Sequence, residues 1–475
     1  DNVLTYAEHP SFVLSGTAEA GSTVVLEYSG PFGVSGTLPV TVADGSGVWS
    51  LNWQSVGSPP AYDFFADGDY EISATAIDTA GNTLVGTTKT VSLDIWADTN
   101  SSAYTIPSSG DAIEHIGGNA SLTATGPVYS AGDGIYVQNT GTGEISIIAS
   151  SSVQGVGDDG IQVWNAATAT STRISAAEVT GLDDGIFVRN LGTEELLISL
   201  TGDVVSTSTD ASDGDYSYGI YAVNTGTNST ITTSGDVTSN DRGIYSFNDG
   251  SGALSVTSTG EVTALAGNGI SAASADLSSD FWAASSATDI IIAANNVTAY
   301  DRGIEVDNYG TGSTTITTTG QITGGSGQQD QTVDADGINA DNSTTATDLR
   351  ISAVNVTGLD DGIAAYNNGT GELIIDLTGD VVSTSTDTSG GDSSYGIYAY
   401  NSGTNSTVTT SGDVTSNDRG IYSRTDGSGA LSVAATGDVT ALAGNGIQAI
   451  NSQWTSPYTS SATDIIIAAN NVTAY

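Results

Sequence analysis

Hydrophobic and polar residues alternate along most of this chain, and glycine interrupts the alternation at regular intervals. From about residue 108 onward one strand–turn unit recurs, opened by a Gly-Ile pair at Gly134, Gly160, Gly185, Gly219, Gly243, Gly269, Gly303, Gly337, Gly362, Gly396, Gly420 and Gly446. The steps between these glycines are 26, 25, 34, 24, 26, 34, 34, 25, 34, 24 and 26 residues. The basic unit is therefore 24–26 residues, and the longer steps are the same unit with an insertion. In one unit Gly219-Ile220-Tyr221-Ala222-Val223-Asn224 alternates as a strand and Thr225-Gly226-Thr227 turns it. Ser229-Thr230-Ile231-Thr232-Thr233 makes a second strand, Gly235 a corner, and Val237-Thr238 a short third. Two or three short strands in so few residues fit one turn of a parallel solenoid, whereas a propeller blade needs about 40 residues. The pattern predicts a parallel, right-handed β-helix of about 12 coils over residues 134–475, a rod of about 55–60 Å at ~4.8 Å per rung. Residues 99–133 read as a connector and a first, imperfect coil near Asp111-Ala112-Ile113 that caps the stack.

Two further regularities sit on this period. Five residues after the opening glycine stand Asn139, Asn165, Asn190, Asn224, Asn248, Asn308, Asn342, Asn367, Asn401 and Asn451, with Ser274 and Thr425 as departures. Asparagine tolerates the left-handed conformation a corner wants, and stacked amides can hydrogen-bond along the axis, so this column predicts a structural ladder. Above the coil, residues 160–269 recur nearly verbatim at 337–446, a superrepeat of 177 residues or six coils. The final Val472-Thr473-Ala474-Tyr475 matches Val297-Thr298-Ala299-Tyr300, which runs straight into another coil; the expectation is a fragment of a longer array.

Residues 1–98 lack this repeat. They alternate as Phe12-Val13-Leu14, Thr23-Val24-Val25-Leu26-Glu27-Tyr28, Val48-Trp49-Ser50-Leu51, Tyr70-Glu71-Ile72-Ser73-Ala74-Thr75-Ala76-Ile77 and Thr90-Val91-Ser92-Leu93, between Gly- and Asp-rich turns. Strands of this number and spacing predict a β-sandwich.

The whole chain thus reads as all-β, and composition adds constraints. There is no Cys, so disulfides, thiolate ligands and thiol nucleophiles are excluded. Asp and Glu number 54 against 8 Lys and Arg, a net charge of −46. Such a surface repels nucleic acid and anionic lipid headgroups. Self-repulsion that keeps the chain soluble and partial neutralisation by divalent cations, Ca²⁺ foremost, are both expected to contribute. The longest apolar run, around Ile290-Ile291-Ile292-Ala293-Ala294, is far too short to span a membrane, so no membrane insertion is expected of this segment.

Candidate chemistry is sparse. Asp158, Asp159, Asp183 and Asp184 occupy the two positions before the opening glycine on consecutive coils, and Asp336, Asp360 and Asp361 repeat the arrangement. Carboxylates one rung apart repel unless protonated, hydrated or bridged, which makes these seven the candidate Ca²⁺ ligands. Arg242, Arg302 and Arg419 take the same column in other coils, where each can pair with acids. Two insertions carry aromatic residues, Phe281 and Trp282 in one and Trp454 and Tyr458 in the other; these either contact a sugar or partner or fold back over the rod. Catalysis has little to work with. The single Lys is Lys89, His9 and His115 lie outside the regular stack, and paired acids recur instead of marking one cleft. A polysaccharide lyase or hydrolase would need a single cleft with a convergent acid pair.

At Leu14-Ser15-Gly16-Thr17-Ala18-Glu19-Ala20-Gly21-Ser22-Thr23-Val24, Gly47-Val48-Trp49, Asp67-Gly68-Asp69-Tyr70 and Asp78-Thr79-Ala80-Gly81-Asn82 the first segment resembles the bacterial immunoglobulin-like domains of large repeat adhesins. That resemblance implies tandem extracellular stalk domains with Ca²⁺ at their junctions, for which Asp94 and Asp98 are candidates here. The Asp-Gly-Ile-x-Val-x-Asn pattern at 184–190 and the Gly-Thr-Gly-x-Leu-x-Ile pattern at 369–375 resemble autotransporter passengers and other repeat adhesins of Gram-negative bacteria. The implied function is a non-catalytic, secreted cell-surface stalk or adhesin that binds a glycan or surface receptor. The alternative is a self-assembling subunit of an extracellular filament, sheath or surface layer, with copies of itself as partners.

Overall fold

A computed structural model describes residues 3–5, 13–29, 35–38, 40–52, 68–86, 89–94, 104–105, 113–208, 217–276, 284–328, 333–386, 394–451 and 461–475. Every regular element in them is a β-strand, and no helix is long and apolar enough to cross a membrane. The candidate residues Phe281, Trp282, Trp454, Tyr458 and Asp98 lie outside the described residues. Two compact units are present: residues 1–101 with 113–115, and residues 102–112 with 116–475.

In the first unit, Thr23–Ser29 pairs antiparallel with Gly68–Ile77, in register from Thr23 opposite Ile77 to Ser29 opposite Glu71. Lys89–Asp94 continues this sheet antiparallel to Gly68–Ile77, and Val3–Thr5 joins it in parallel. A separate two-stranded sheet pairs Val13–Thr17 with Val48–Asn52. The alternation in Thr23–Ser29 turns Val24 and Leu26 inward, where they pack with Leu38, Ala43 and, from the small sheet, Trp49 and Leu51. Gly16 is required by that packing, because a Cβ there would lie 2.6 Å from the Trp49 ring. Asp78, within the motif that resembles the adhesin domains, has a local task. Its carboxylate accepts the backbone N–H groups of Ala80 and Asn82 and the Asn82 amide, which closes the turn and holds its pKa below the usual carboxylate value.

The second unit contains two long parallel sheets, of 21 and 13 strands. Each coil contributes its Gly-Ile strand to the 13-stranded sheet and its other strands to the larger one, the arrangement of a parallel β-helix. Within this unit the smaller sheet runs through Ile135–Asn139, Ile161–Asn165, Ile186–Asn190 and so on to Ile447–Asn451. Register is kept throughout: Ile135 stands against Ile161, Ile161 against Ile186, and Ile186 against Ile220 despite the longer step between the last two. Insertions therefore leave at corners and do not shift the strands. The recurring burial pattern, as in Ile186–Asn190, puts Ile186, Val188 and Asn190 inside and Phe187 and Arg189 on the outer face.

This stacking explains the opening glycine. A Cβ at Gly185 would sit 2.5 Å from a Val204 methyl across the coil and 2.6 Å from the Gly219 carbonyl on the next rung. The strand can cross to the facing sheet only where no side chain intervenes.

Candidate functional site

The asparagine column lies inside the coils, in extended strand. Its explanation is consequently amide bonding, and not the left-handed corner anticipated from the residue type. Asn139 donates to Asn165 Oδ1 at 2.9 Å, Asn165 to Asn190 at 2.7 Å, Asn190 to Asn224 at 2.7 Å and Asn224 to Asn248 at 2.9 Å. Each amide also serves the adjoining turn, as when Asn139 Nδ2 donates to the Gly143 carbonyl and Asn139 Oδ1 accepts from Gly141 N. Where Ser274 interrupts the column, its hydroxyl donates to Asn308 Oδ1. Thr314 then relays between Asn308 and Asn342, and the chain resumes through Asn367 to Asn401. Asn451 ends the strand Ile447–Asn451.

The aspartates divide by position. Asp159, Asp184, Asp336 and Asp361 are 2%, 4%, 1% and 7% exposed, so water does not relieve their mutual repulsion. Their outer neighbours Asp158, Asp183 and Asp360 are more open to solvent. Each inner carboxylate accepts a backbone N–H from the rung above: Asp184 N donates to Asp159 Oδ1 at 2.9 Å, Tyr218 N to Asp184 Oδ1 at 2.7 Å, Asp361 N to Asp336 Oδ1 at 2.9 Å and Tyr395 N to Asp361 Oδ1 at 2.7 Å. Burial raises the pKa of Asp159 to about 7, and burial reinforced by the Asp159 charge raises that of Asp184 to about 9. Burial pushes Asp336 and Asp361 upward likewise. Protonation of the inner carboxyls is one way to relieve the repulsion, and a bound cation is the other. Three groups, Asp133–Asp158–Asp159, Asp159–Asp183–Asp184 and Asp334–Asp336–Asp360, each gather three carboxylate oxygens within 4.8 Å. Ca²⁺ takes about six or more oxygens, so carbonyls or water would have to complete any such site.

The arginines of this column do more than form ion pairs. Arg302 bridges Glu305 and Asp334, and its Nε lies 4.0 Å from Asp336. Arg242 and Arg419 lie over the rings of Tyr218 and Tyr395, at 5.9 and 5.4 Å from the centroids.

On the outer face of the 13-stranded sheet, aromatic side chains two and four residues after the glycine stack from rung to rung. Centroids are 5.1 Å apart for Trp164 and Phe187, 4.8 Å for Phe187 and Tyr221, and 5.3 Å for Tyr221 and Tyr245. The second superrepeat has its own stack in Tyr366, Tyr398 and Tyr422. The rung spacing matches ring-stacking distance, so parallel register sets the Phe187–Tyr221–Tyr245 and Tyr398–Tyr422 pairs, while Trp164 and Tyr366 reach their neighbours diagonally.

The first stripe ends at a groove of about 620 Å³. Tyr245 and Phe247 form one side, Ser271, Ala273 and Ala275 the floor, and Arg302, Glu305, Asp307 and Tyr309 the other side. Glu305 is held by Asn268 Nδ2 at 2.6 Å, Ser271 Oγ at 3.1 Å and Arg302. Asp307, two residues on, accepts no hydrogen bond from the described residues, and burial together with Glu305 and Asp341 lifts its pKa to about 7. None of these groove residues stood out in the unit grammar except Arg302. The signal available was the difference between superrepeats: Ser271, Ala273 and Phe247 correspond to Gln448, Ile450 and Arg424 at the 177-residue offset. The chain matches no protein-family model and is not similar to any curated protein.

Proposed function

We propose that this chain is a non-catalytic, extracellular surface protein of a Gram-negative bacterium, a stiff stalk or adhesin that attaches the cell to a glycan or surface receptor. The observation that carries the proposal is the unbroken in-register column from Ile135 to Ile447, which absorbs every insertion at a corner. A coil stack bonded along its axis by amides, aspartates and backbone resists bending, which suits a spacer. The Cys-free, strongly acidic composition suits exposure to solvent. An immunoglobulin-like assignment of the N-terminal unit, and Ca²⁺ between the outer aspartates, belong to the same proposal. The test is display of the chain on a non-adherent bacterial cell, scoring attachment to polysaccharide- and protein-coated surfaces. Attachment no greater than with an empty display vector would sink it.

A second reading is a self-assembling filament or sheath subunit, with copies of this chain as partners. Light scattering with Ca²⁺ and then chelator separates the readings, since an unchanged particle size speaks against assembly.

A further inference from the structure

We propose that the groove between Tyr245 and Glu305 binds a chain of neutral or amino hexoses. This deepens the attachment reading and rests on it for its biological meaning, although the binding itself can be measured without it.

Four observations converge. First, the groove falls within the range of about 300–1,000 Å³ typical of small-molecule sites, and its volume is about 620 Å³. Second, Tyr245 is half-buried beside a floor of small side chains, where a pyranose ring can lie against its aromatic face. Third, carboxylates outnumber cations in the polar lining: Asp301, Glu305, Asp307 and Asp334 stand with Arg242 and Arg302, and Arg302 is already paired with Glu305 and Asp334. Glu305 is already oriented by Asn268, Ser271 and Arg302, while Asp307 has no donor of its own among the described residues. A ligand rich in hydroxyl or ammonium donors satisfies them, and vicinal hydroxyls can bridge a carboxylate. Uronate, sulfate or phosphate groups would meet Asp301, Glu305, Asp307 and Asp334 on a chain of net charge −46.

Fourth, the groove interrupts the near-verbatim duplication. Six coils later the floor positions carry the bulkier Gln448 and Ile450, and the Phe247 position carries Arg424.

That duplication supplies the control. The purified full chain is titrated calorimetrically with maltohexaose, cellohexaose and chitosan hexamer, with hexagalacturonate as the acidic comparison. Binding of at least one of the first three at millimolar or tighter affinity, with none for hexagalacturonate, is expected. The double variant S271Q/A273I introduces the side chains that the corresponding strand positions carry at 448 and 450. It should keep the wild-type circular dichroism and melting curve and weaken binding at least about tenfold. Asp307→Asn should weaken it by a smaller factor. No binding of any of the three, tighter binding of hexagalacturonate, or undiminished binding by S271Q/A273I overturns the proposal. Cleavage of a bound oligosaccharide would uphold the groove and overturn the non-catalytic reading. Failed cell attachment with binding intact would overturn only the stalk.

Discussion

Replacing Asp184 by Asn should change how stability depends on pH, and by an amount the structure bounds. The Asp184 carboxyl is buried, one rung above Asp159, and its pKa rises from 3.8 to about 9. The folded state therefore holds a proton that the unfolded chain releases. Its stabilising contribution is complete at low pH and is lost as pH rises through the folded value. Between about pH 4 and pH 9 this one group lowers stability by about 1.4 kcal/mol per pH unit, or about 4 kcal/mol at pH 7. Asn keeps an oxygen for the Tyr218 N–H, a bond of 2.7 Å, and needs no proton. D184N should accordingly match wild type near pH 4 and exceed it progressively up to pH 9, by up to about 4 kcal/mol at pH 7. Exposed carboxylates such as Asp44 and Asp78, whose pKa values are lowered, act in the opposite sense in the other unit. The readout should for that reason be local: hydrogen exchange of the Tyr218 amide, with melting curves alongside. Equal pH slopes in wild type and D184N would refute the buried-proton argument. If millimolar Ca²⁺ restores wild-type protection at pH 8 but leaves D183N unaffected, a cation joins the proton as neutralising partner.

Two other perturbations probe the stack. Gly185→Ala forces a methyl against Val204 and the Gly219 carbonyl, and should cost about 3 kcal/mol or more, with exchange rising in the flanking rungs; a variant as stable as wild type would reject the close-approach explanation. Asn190→Ala removes bonds to Asn165, Asn224 and Thr172 and strands buried partners, for an expected loss of about 3–5 kcal/mol by chemical denaturation. A loss under about 1 kcal/mol would make the ladder a spectator.

Much of this molecule was legible as a linear pattern, because a solenoid repeats its local rules. The Gly-Ile spacing marked the coils, and the asparagine column fell at one depth in each, since neighbours along the axis are one period apart. The division of a coil into strands, as at Tyr218–Asn224, Ser229–Thr233 and Val237–Ser239, likewise followed from alternation and turn residues.

What the linear pattern left undecided depends on which face a residue occupies and on what lies across it. Asp158 and Asp159 are adjacent and chemically identical, yet Asp159 is buried with its carboxylate accepting the Asp184 N–H of the next rung, while Asp158 stands exposed. Ser271 and Glu305 stand 34 residues apart and meet only because an insertion is absorbed at a corner without shifting register. Local sequence by itself determined the period, the strands and the inward columns, for these depend on backbone alternation within one coil. Tertiary structure alone decided the burial of the inner aspartates and the groove, because desolvation and concavity arise only when separate coils stack.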